Sequence, residues 1–270
     1  MKVILISIGI FQEYINTNIK QLLDLDYEVI LITEKQFFND VLYKDKIILE
    51  NSESYKTNFD SHNKLNTTFR NGFWKNTSKR LFVLYTYLKI KDYQNTLHIE
   101  NDILLYKNIS TFPFENKLHL TMDSPNRCIP GIIYIPNYTF LEPLITHYNY
   151  SENDMVNMAT FYNKNKKMCK TFPIIKKNKY FNKKSLYFKY FDIFEGIFDA
   201  AAMGQYLGGI DPKNKPGNTI GFINERCLVK YNVYKFIWKE GKPYIKIDGK
   251  EVPIYNLHIH CKNLKKFTNM

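Results

Sequence analysis

An apolar strand pattern that ends in two carboxylates constrains this chain more than any other feature of its sequence. The run Leu97-His98-Ile99 leads into Glu100-Asn101-Asp102, and the apolar pattern resumes at Ile103. In an extended backbone, residues i and i+2 project from the same face, so Glu100 and Asp102 are predicted to converge at the end of a buried strand. Two such carboxylates repel each other unless a cation joins them. A divalent ion with oxygen ligands is the simplest remedy, and the pattern predicts half of a metal site.

Length and apolar content suit one α/β domain. The chain has 270 residues and can bury a substantial core. No apolar run reaches the roughly 18 residues needed to cross a bilayer. The four cysteines share no spacing typical of a metal site or a disulfide framework, so a reducing compartment is the default. We therefore predict a cytoplasmic protein without a transmembrane segment.

The chain is strongly basic, with 38 Lys and Arg against 26 Asp and Glu and a formal net charge of +12. Such a charge suits nucleic acid, anionic membranes and phosphorylated substrates. Lys, Asn, Ile, Tyr and Phe abound while only four arginines occur, which is the composition expected of AT-rich codons. The net charge alone therefore does not select a partner.

The N-terminal part predicts a parallel sheet. Residues 2–8 and 27–33 have the pattern of buried strands, and residues 14–25 between them have helical spacing. Strand, helix and strand in succession imply a right-handed βαβ unit. A helix is predicted from about Asn76, leading into the carboxylate strand, and further strands are predicted at residues 118–122 and 131–135.

The C-terminal part predicts antiparallel structure. Residues 234–238 and 243–247 read as strands, and Asp248-Gly249 is a strong hairpin signal before a final strand at residues 252–259. Between the two parts, residues 151–190 are the most basic and aromatic stretch, and include Lys183 and Lys184. We interpret that stretch as a solvated helical excursion rather than a base-stacking or membrane surface.

The final predicted strand carries a second group of polar residues, His258-Ile259-His260-Cys261-Lys262. Alternation places both imidazoles on one strand face and Cys261 on the other, which disfavours a zinc site that includes the thiol. Carboxylates, one imidazole and phosphate oxygens suit Mn²⁺ or Mg²⁺ better. The lysine would supply a point charge for the same phosphates.

The two motifs together resemble the nucleotide-sugar glycosyltransferases of the GT-A fold. Glu100-Asn101-Asp102 is similar to the Asp-x-Asp motif of that superfamily, with Glu in the first place. His258 to Lys262 resembles the late histidine–lysine segment of glycogenin-like and lipopolysaccharide galactosyltransferases. The combination is also similar to poorly characterised transferases from large DNA viruses and microbes, for which the location would be the host cytoplasm or the virion.

The resemblance implies an α/β fold of the GT-A (Rossmann-like) type. Its central sheet would be mixed, mainly parallel and flanked by helices, with a small antiparallel C-terminal part. Residues 1–270 would form a single catalytic domain. Its nucleotide-binding half would span about residues 1–110, and its acceptor-binding half about residues 111–270.

The resemblance also implies a set of site residues. The implied metal ligands are Glu100, Asp102 and His260. Asp102 is the firmer carboxylate because the longer Glu100 side chain would also reach a ribose hydroxyl or a water. His258 would support His260 from within, although the sequence leaves open which imidazole binds the metal. The implied nucleotide-binding residues are Ser7, Ile8, Gly9, Arg80, Glu100, Asn101, His258 and Lys262, with Lys265 or Lys266 as alternatives to Lys262.

Three further residues are implied at the transferred sugar and the acceptor. Asp123 follows a central strand, and Asp199 and Gln205 lie in the segment where small residues gather. Asp199 would be the base if the transfer inverts the anomeric configuration, whereas Gln205 would line the reacting face of the sugar if it retains it.

The predicted function is metal-dependent transfer of a sugar from a nucleoside diphosphate sugar, with a UDP-sugar expected, to a hydroxyl on a glycan, lipid or protein. A sugar-nucleotide nucleotidyltransferase is an alternative, although the N-terminus lacks a glycine-rich basic triphosphate loop. A non-catalytic protein with the same fold, or a basic nucleic-acid-binding protein, are further alternatives. The last would leave both motifs without a purpose, so no nucleic-acid partner is expected. A homodimer is left open.

Overall fold

The computed structural model of the protein describes residues 1–182, 185–209, 211 and 226–268. Twelve strands are found within these residues. They are β1 (Lys2–Ile6), β2 (Glu28–Thr33), β3 (Ile48–Asn51), β4 (Thr96–Ile99), β5 (Ile103–Leu105), β6 (Leu118–Ser124), β7 (Arg127–Ile135), β8 (Cys169–Thr171), β9 (Lys235–Lys239), β10 (Lys242–Ile247), β11 (Lys250–Pro253) and β12 (Asn256–His258).

The described residues also form seven α-helices, several of them a single turn. They are α1 (Ile15–Asp24), α2 (Phe59–His62), α3 (Phe73–Lys91), α4 (Glu142–Thr146), α5 (Asp154–Lys164), α6 (Phe191–Phe194) and α7 (Gly204–Gly208). The longest is α3 with 19 residues. Neither it nor any other helix of the described part combines the length and apolar character needed to span a bilayer.

Seven strands form the central sheet, in the order β3-β2-β1-β4-β7-β6-β8. The pairs β1/β2, β1/β4, β2/β3 and β6/β8 are parallel, while β4/β7 and β6/β7 are antiparallel. The predicted class, a mixed and mainly parallel α/β sheet flanked by helices, is therefore confirmed. Because β1, β2 and β4 run in the same direction, their carboxyl ends lie on one edge of the sheet.

Alternate residues of the strands supply the two faces of the sheet. Ile4 and Ile6 of β1 belong to an apolar cluster that includes the stripe of α3, whereas Val3 and Leu5 belong to a second cluster that includes the stripe of α1. A helix therefore covers each face, as the side-chain alternation of a strand requires when both faces are buried. This packing fixes the carboxyl edge of the sheet relative to α1 and α3.

Two small sheets complete the described structure. Strands β9, β10 and β11 form an antiparallel meander, with the Asp248-Gly249 turn between β10 and β11, as predicted. The predicted final strand at residues 252–259 is instead two strands. β11 pairs with β10, while β12 leaves that sheet and pairs antiparallel with β5.

Residues 151–190 differ from the predicted solvated excursion. Met158 and Phe161 of α5 are buried in the core, and β8 extends the central sheet beside β6. The apolar residues of this stretch therefore belong to the fold. Of its described lysines, those at 164, 166, 167, 177, 179 and 189 are exposed, whereas Lys170 is buried. Lys183 and Lys184 lie outside the described residues.

Two buried histidines predict a loss of stability in mild acid. Burial lowers the pKa of His98 to about 3 and that of His119 to about 4. The unfolded chain, with ordinary histidine pKa values near 6.5, therefore binds more protons than the folded protein below that pH. The stability that the neutral imidazoles contribute is complete above about pH 6.5 and is lost as the pH falls toward 4, at about 1.4 kcal/mol per pH unit for each histidine.

Urea unfolding over this pH range tests the prediction. His119 packs against the rings of Phe114, Tyr134 and Phe172, so His119→Phe removes the titrating group and keeps an aromatic ring in place. The free energy of unfolding of this variant should fall less steeply with acid than that of the wild type. Identical slopes would show that His119 is not held neutral by the fold.

Candidate metal centre

The two carboxylates lie on a turn between β4 and β5. Strand β4 ends at Ile99, and the Ile103 N–H, where β5 begins, donates to the Glu100 carbonyl over 3.1 Å. The prediction that Glu100 and Asp102 share one face of an extended strand is therefore wrong in its local geometry. The chain turns at residues 100–102, and the turn brings the two side chains together.

Asparagine side chains hold the main chain of this turn. Asn18, fully buried on α1, donates to the carbonyls of Glu100 and Asn101 over 3.3 and 3.1 Å. The Asn101 side chain donates to the Ile6 carbonyl, at the end of β1, over 3.1 Å. On the other side, the Glu100 N–H donates to the Gly131 carbonyl of β7 over 3.0 Å. The turn is thus fixed to α1 and β7 through its backbone, and to β1 through the Asn101 side chain.

A histidine from the C-terminal part completes the group. Ligand atoms of Glu100, Asp102 and His258 all lie within 4.8 Å of one another. Nε2 of His258 is 3.0 Å from Oδ2 of Asp102, and Nδ1 is 3.6 Å from Oε2 of Glu100. The pairing of β12 with β5 produces this approach, and the Ile259 N–H extends the pairing by donating to the Asp102 carbonyl over 2.8 Å.

Basic side chains balance the two carboxylates. Lys262 forms an ion pair with Oδ2 of Asp102, although the two residues are 160 positions apart in the chain. The guanidinium of Arg80 contacts Oε1 of Glu100 at 2.5 Å and Oδ2 of Asp154 at 3.6 Å. Arg80 and Asp154 are both buried. Each of the three acids therefore faces a basic group.

This charge arrangement shifts the pKa values of the group. Burial alone would raise the pKa of Asp102, but His258 and Lys262 outweigh it and hold that pKa well below its usual range. Burial opposes the protonation of His258, but Asp102 raises the pKa of the imidazole. The pKa of Asp154 is raised to about 6 by burial, against the charge of Arg80. Asp102 is thus an anion at neutral pH, as a metal ligand must be.

His258, rather than His260, lies with the two carboxylates. The His260 ring is 4.8 Å from the His258 ring, and its side chain is buried. Burial and the nearby His258 and Lys262 keep the pKa of His260 well below its usual value. The geometry thus favours His258 as the metal ligand, whereas the resemblance implied His260.

The predicted nucleotide-binding residues at the end of β1 lie next to the carboxylate turn. Ser7 is buried, and its hydroxyl donates to the Ile10 carbonyl over 3.0 Å. Gly9 has a φ of +85°, and its N–H donates to the Glu34 carboxylate over 2.6 Å. A Cβ at Gly9 would lie 2.8 Å from the Asn76 side chain. Because Asn101 binds the carbonyl that precedes Ser7, this loop and the turn form one continuous edge.

The predicted sugar-facing residues have different surroundings. Asp123 is fully buried in β6 and forms an ion pair with Arg127 of β7. Gln205 lies on α7, which contacts β12, and its amide donates to the Ala202 carbonyl over 2.9 Å. Gln205 thus lies on a helix that contacts β12, the strand of His258, whereas the Asp123 side chain forms an ion pair between the neighbouring strands β6 and β7.

Asp199 is surrounded by backbone N–H groups. It is 1% exposed, and its carboxylate accepts four hydrogen bonds, from the N–H groups of Ala202, Met203, Gly204 and His258. Burial raises its pKa, and these N–H donors act against that effect. A general base needs an oxygen that is free to receive the proton of the acceptor hydroxyl. The surroundings of Asp199 do not favour the predicted role as base.

Sequence reasoning missed several residues of this region. Asn18 occupies a position of the apolar stripe of α1, together with Ile15, Ile19 and Leu22. A polar residue on such a stripe indicates that its side chain forms a buried hydrogen bond in the folded protein. Asp154 and Gly131 gave no comparable signal, because their contacts with Arg80 and Glu100 arise only from the packing of α5 and the register of β7.

No protein-family model and no curated protein sequence matches this chain. Similar solved structures include the galactosyltransferase LgtC with donor and acceptor sugar analogues (TM-score 0.42, 10% identity, covering 64% of this chain and 73% of that one). The glycosyltransferase GlyE of Streptococcus pneumoniae is also similar (TM-score 0.45, 14% identity, covering 86% of this chain and 61% of that one). A cytidylyltransferase of Leptospira borgpetersenii is similar as well (TM-score 0.39, 9% identity, covering 67% of this chain and 79% of that one). All three of these similarities have TM-scores below 0.5 and identities of 14% or less.

The Arg80–Glu100 pair gives a stability prediction. Arg80→Met should lower the free energy of unfolding by about 3–5 kcal/mol, because it leaves two carboxylates, Glu100 and the buried Asp154, without their basic partner. The double variant Arg80→Met/Glu100→Gln should recover part of the loss, because the remaining amide carries no charge. Urea denaturation at neutral pH measures both. A cost below about 1 kcal/mol for Arg80→Met would show that the pair is in effect solvated.

Proposed function

We propose that this chain is a divalent-metal-dependent glycosyltransferase that moves a sugar from a nucleoside diphosphate sugar to a hydroxyl acceptor. The grouping of Glu100, Asp102 and His258 within 4.8 Å is the observation that supports this most. The group lies at the carboxyl edge of parallel strands, where open α/β sheets bind their ligands. A UDP-sugar is the expected donor, and a glycan, a lipid or a protein is the expected acceptor.

The donor set fits Mn²⁺ well and Mg²⁺ acceptably. Two carboxylates and one imidazole combine hard oxygen ligands with a nitrogen ligand that transition metals accept readily. Diphosphate oxygens would complete the coordination. When bound, the cation would neutralise charge that develops on the leaving diphosphate.

The chain's own basic groups would share this task. The ammonium of Lys262 forms an ion pair with Asp102. Because the lysine side chain is flexible, the ammonium would also reach a diphosphate bound beside that carboxylate. Arg80 holds one oxygen of Glu100 and leaves the other directed toward His258. Gln205 on α7 is the residue we propose at the reacting face of the sugar, where it would orient the donor for attack.

Asp102→Asn should reduce turnover by about 10²-fold or more, because it removes a charged ligand of the cation that would neutralise the leaving diphosphate. The measurement is release of UDP from a panel of UDP-sugars in Mn²⁺, with and without acceptor. Asp24→Asn is the matched control, because Asp24 is an exposed carboxylate of α1 whose partner is Lys20.

Full activity in excess chelator, or in Asp102→Asn, would contradict the proposal. A nucleotidyltransferase would instead form pyrophosphate from a nucleoside triphosphate and a sugar 1-phosphate. A thermal-shift screen of nucleotide sugars with and without Mn²⁺ identifies the donor, since a ligand that binds only the native state stabilises it.

Lys262→Met should change two affinities in opposite directions. Mn²⁺ alone should bind about tenfold more tightly, because the ammonium no longer competes for Asp102. UDP in the presence of saturating Mn²⁺ should bind more weakly, because a positive charge for the diphosphate is lost. Titrations followed by the paramagnetic resonance of free Mn²⁺ and by calorimetry give the two constants. Lys246→Met, an exposed lysine of β10, is the control, and changes of the same sign would contradict the assigned role.

A further inference from the structure

The segment at residues 199–204 is folded around the Asp199 carboxylate. Oδ1 accepts from the N–H groups of Ala202 and Met203 over 2.7 and 2.8 Å, and Oδ2 accepts from the Gly204 N–H over 3.1 Å. Three consecutive N–H groups therefore point at one side chain. A buried carboxylate that satisfies several N–H donors in this way fixes the path of the backbone that carries them.

The same residue is bound to the strand that carries His258. Oδ2 of Asp199 also accepts from the His258 N–H over 3.0 Å. The Asp199 N–H donates to the Asn256 side chain over 3.1 Å, and the Asn256 amide faces the Asp199 carbonyl at 3.4 Å. The main chain and side chain of Asp199 thus both bind β12, at its first and last residues.

The two segments approach as closely as backbone atoms allow. A Cβ at Gly204 would lie 1.9 Å from the His258 carbonyl oxygen, so only glycine fits at this position. Ala201 has a φ of +52°, a conformation that a residue with a side chain rarely adopts. Such strain persists where the surrounding contacts determine the conformation. The segment at residues 199–204 is therefore shaped to fit the histidine strand.

We propose that Asp199 is a positioning residue for His258, and that its carboxylate sets where the imidazole stands relative to Glu100 and Asp102. This inference rests on the metal centre of the proposed function and assigns Asp199 a role other than general base. Because one carboxylate oxygen binds both Gly204 and His258, a change at Asp199 loosens the segment and the strand together. The imidazole then loses its fixed distance from the two acidic ligands.

Asp199→Asn is the primary test. The amide retains an acceptor for Ala202 and Met203 but directs a donor toward the Gly204 and His258 N–H groups. Mn²⁺ affinity should fall by about 10–100-fold, the range seen when a residue that orients a metal ligand is lost. Turnover at saturating Mn²⁺ should return close to the wild-type kcat. A general base would behave in the opposite way, with unchanged Mn²⁺ affinity and a kcat lowered at every Mn²⁺ concentration.

Tyr255→Phe is the matched control. Tyr255 directly precedes β12, and its hydroxyl donates a buried hydrogen bond of 2.7 Å to the Phe194 carbonyl. The phenylalanine removes this bond and leaves Asp199 intact. It should lower the melting temperature without changing Mn²⁺ affinity.

Asn256→Ala is a second test, for the case in which Asp199→Asn does not fold. It breaks the hydrogen bonds between Asn256 and the main chain of Asp199, and a smaller loss of Mn²⁺ affinity is expected. Wild-type Mn²⁺ affinity in both variants would overturn the proposal.

A measurement without metal or substrate separates this inference from the proposed function. The imidazole nitrogen chemical shifts of His258, assigned with His258→Gln, report its contact with Asp102. They should change in Asp199→Asn and stay unchanged in Tyr255→Phe, even if the wild type binds no Mn²⁺ and turns over no nucleotide sugar. Unchanged shifts in Asp199→Asn would refute the positioning role by themselves.

Discussion

The antiparallel pairing of β12 with β5 is the contact on which the candidate site depends. It is short, with three paired positions, yet it brings a histidine from the C-terminal part beside two carboxylates at the edge of the central sheet. Such a short ladder provides little stability by itself, since isolated two-stranded pairs are marginal in water. Support comes from both sides: Asn18 and Asn101 fix the turn before β5, and Asp199 fixes β12 from the segment next to α7. The site is therefore a junction of four chain segments.

Charge balance explains how such a group can be partly buried. Glu100, Asp102 and Asp154 face Arg80, His258 and Lys262, and a buried charge is tolerated where it is paired and hydrogen-bonded. The two sides of the group differ in their accessibility. Arg80 on α3 and Asp154 on α5 are buried, whereas the side chain of Lys262 is 27% exposed. The lysine is thus the basic group best able to move toward a ligand.

The sequence predicted the parallel sheet, the C-terminal hairpin and the two motifs of the site because each leaves a local pattern. Alternation and helical spacing identify buried faces, and paired polar residues at the end of an apolar run stand out against it. It did not predict that residues 100–102 turn or that the last strand divides in two. Both depend on the pairing of β5 with β12, a contact between distant parts of the chain. The contacts of Asp154 with Arg80 and of Asp199 with His258 were hidden for the same reason, since these partners lie on other elements.

The turn at residues 100–102 is held by hydrogen bonds to main-chain atoms, and this has a consequence for the acidic positions themselves. Asn18 binds carbonyls and Gly131 receives an N–H, so none of these contacts depends on which side chain follows the backbone at position 100. A glutamate can therefore stand where the resemblance expects an aspartate, without any rebuilding of the loop. The length of that one side chain can therefore change the distance of its carboxylate from Asp102 and His258 while the backbone of the turn stays the same.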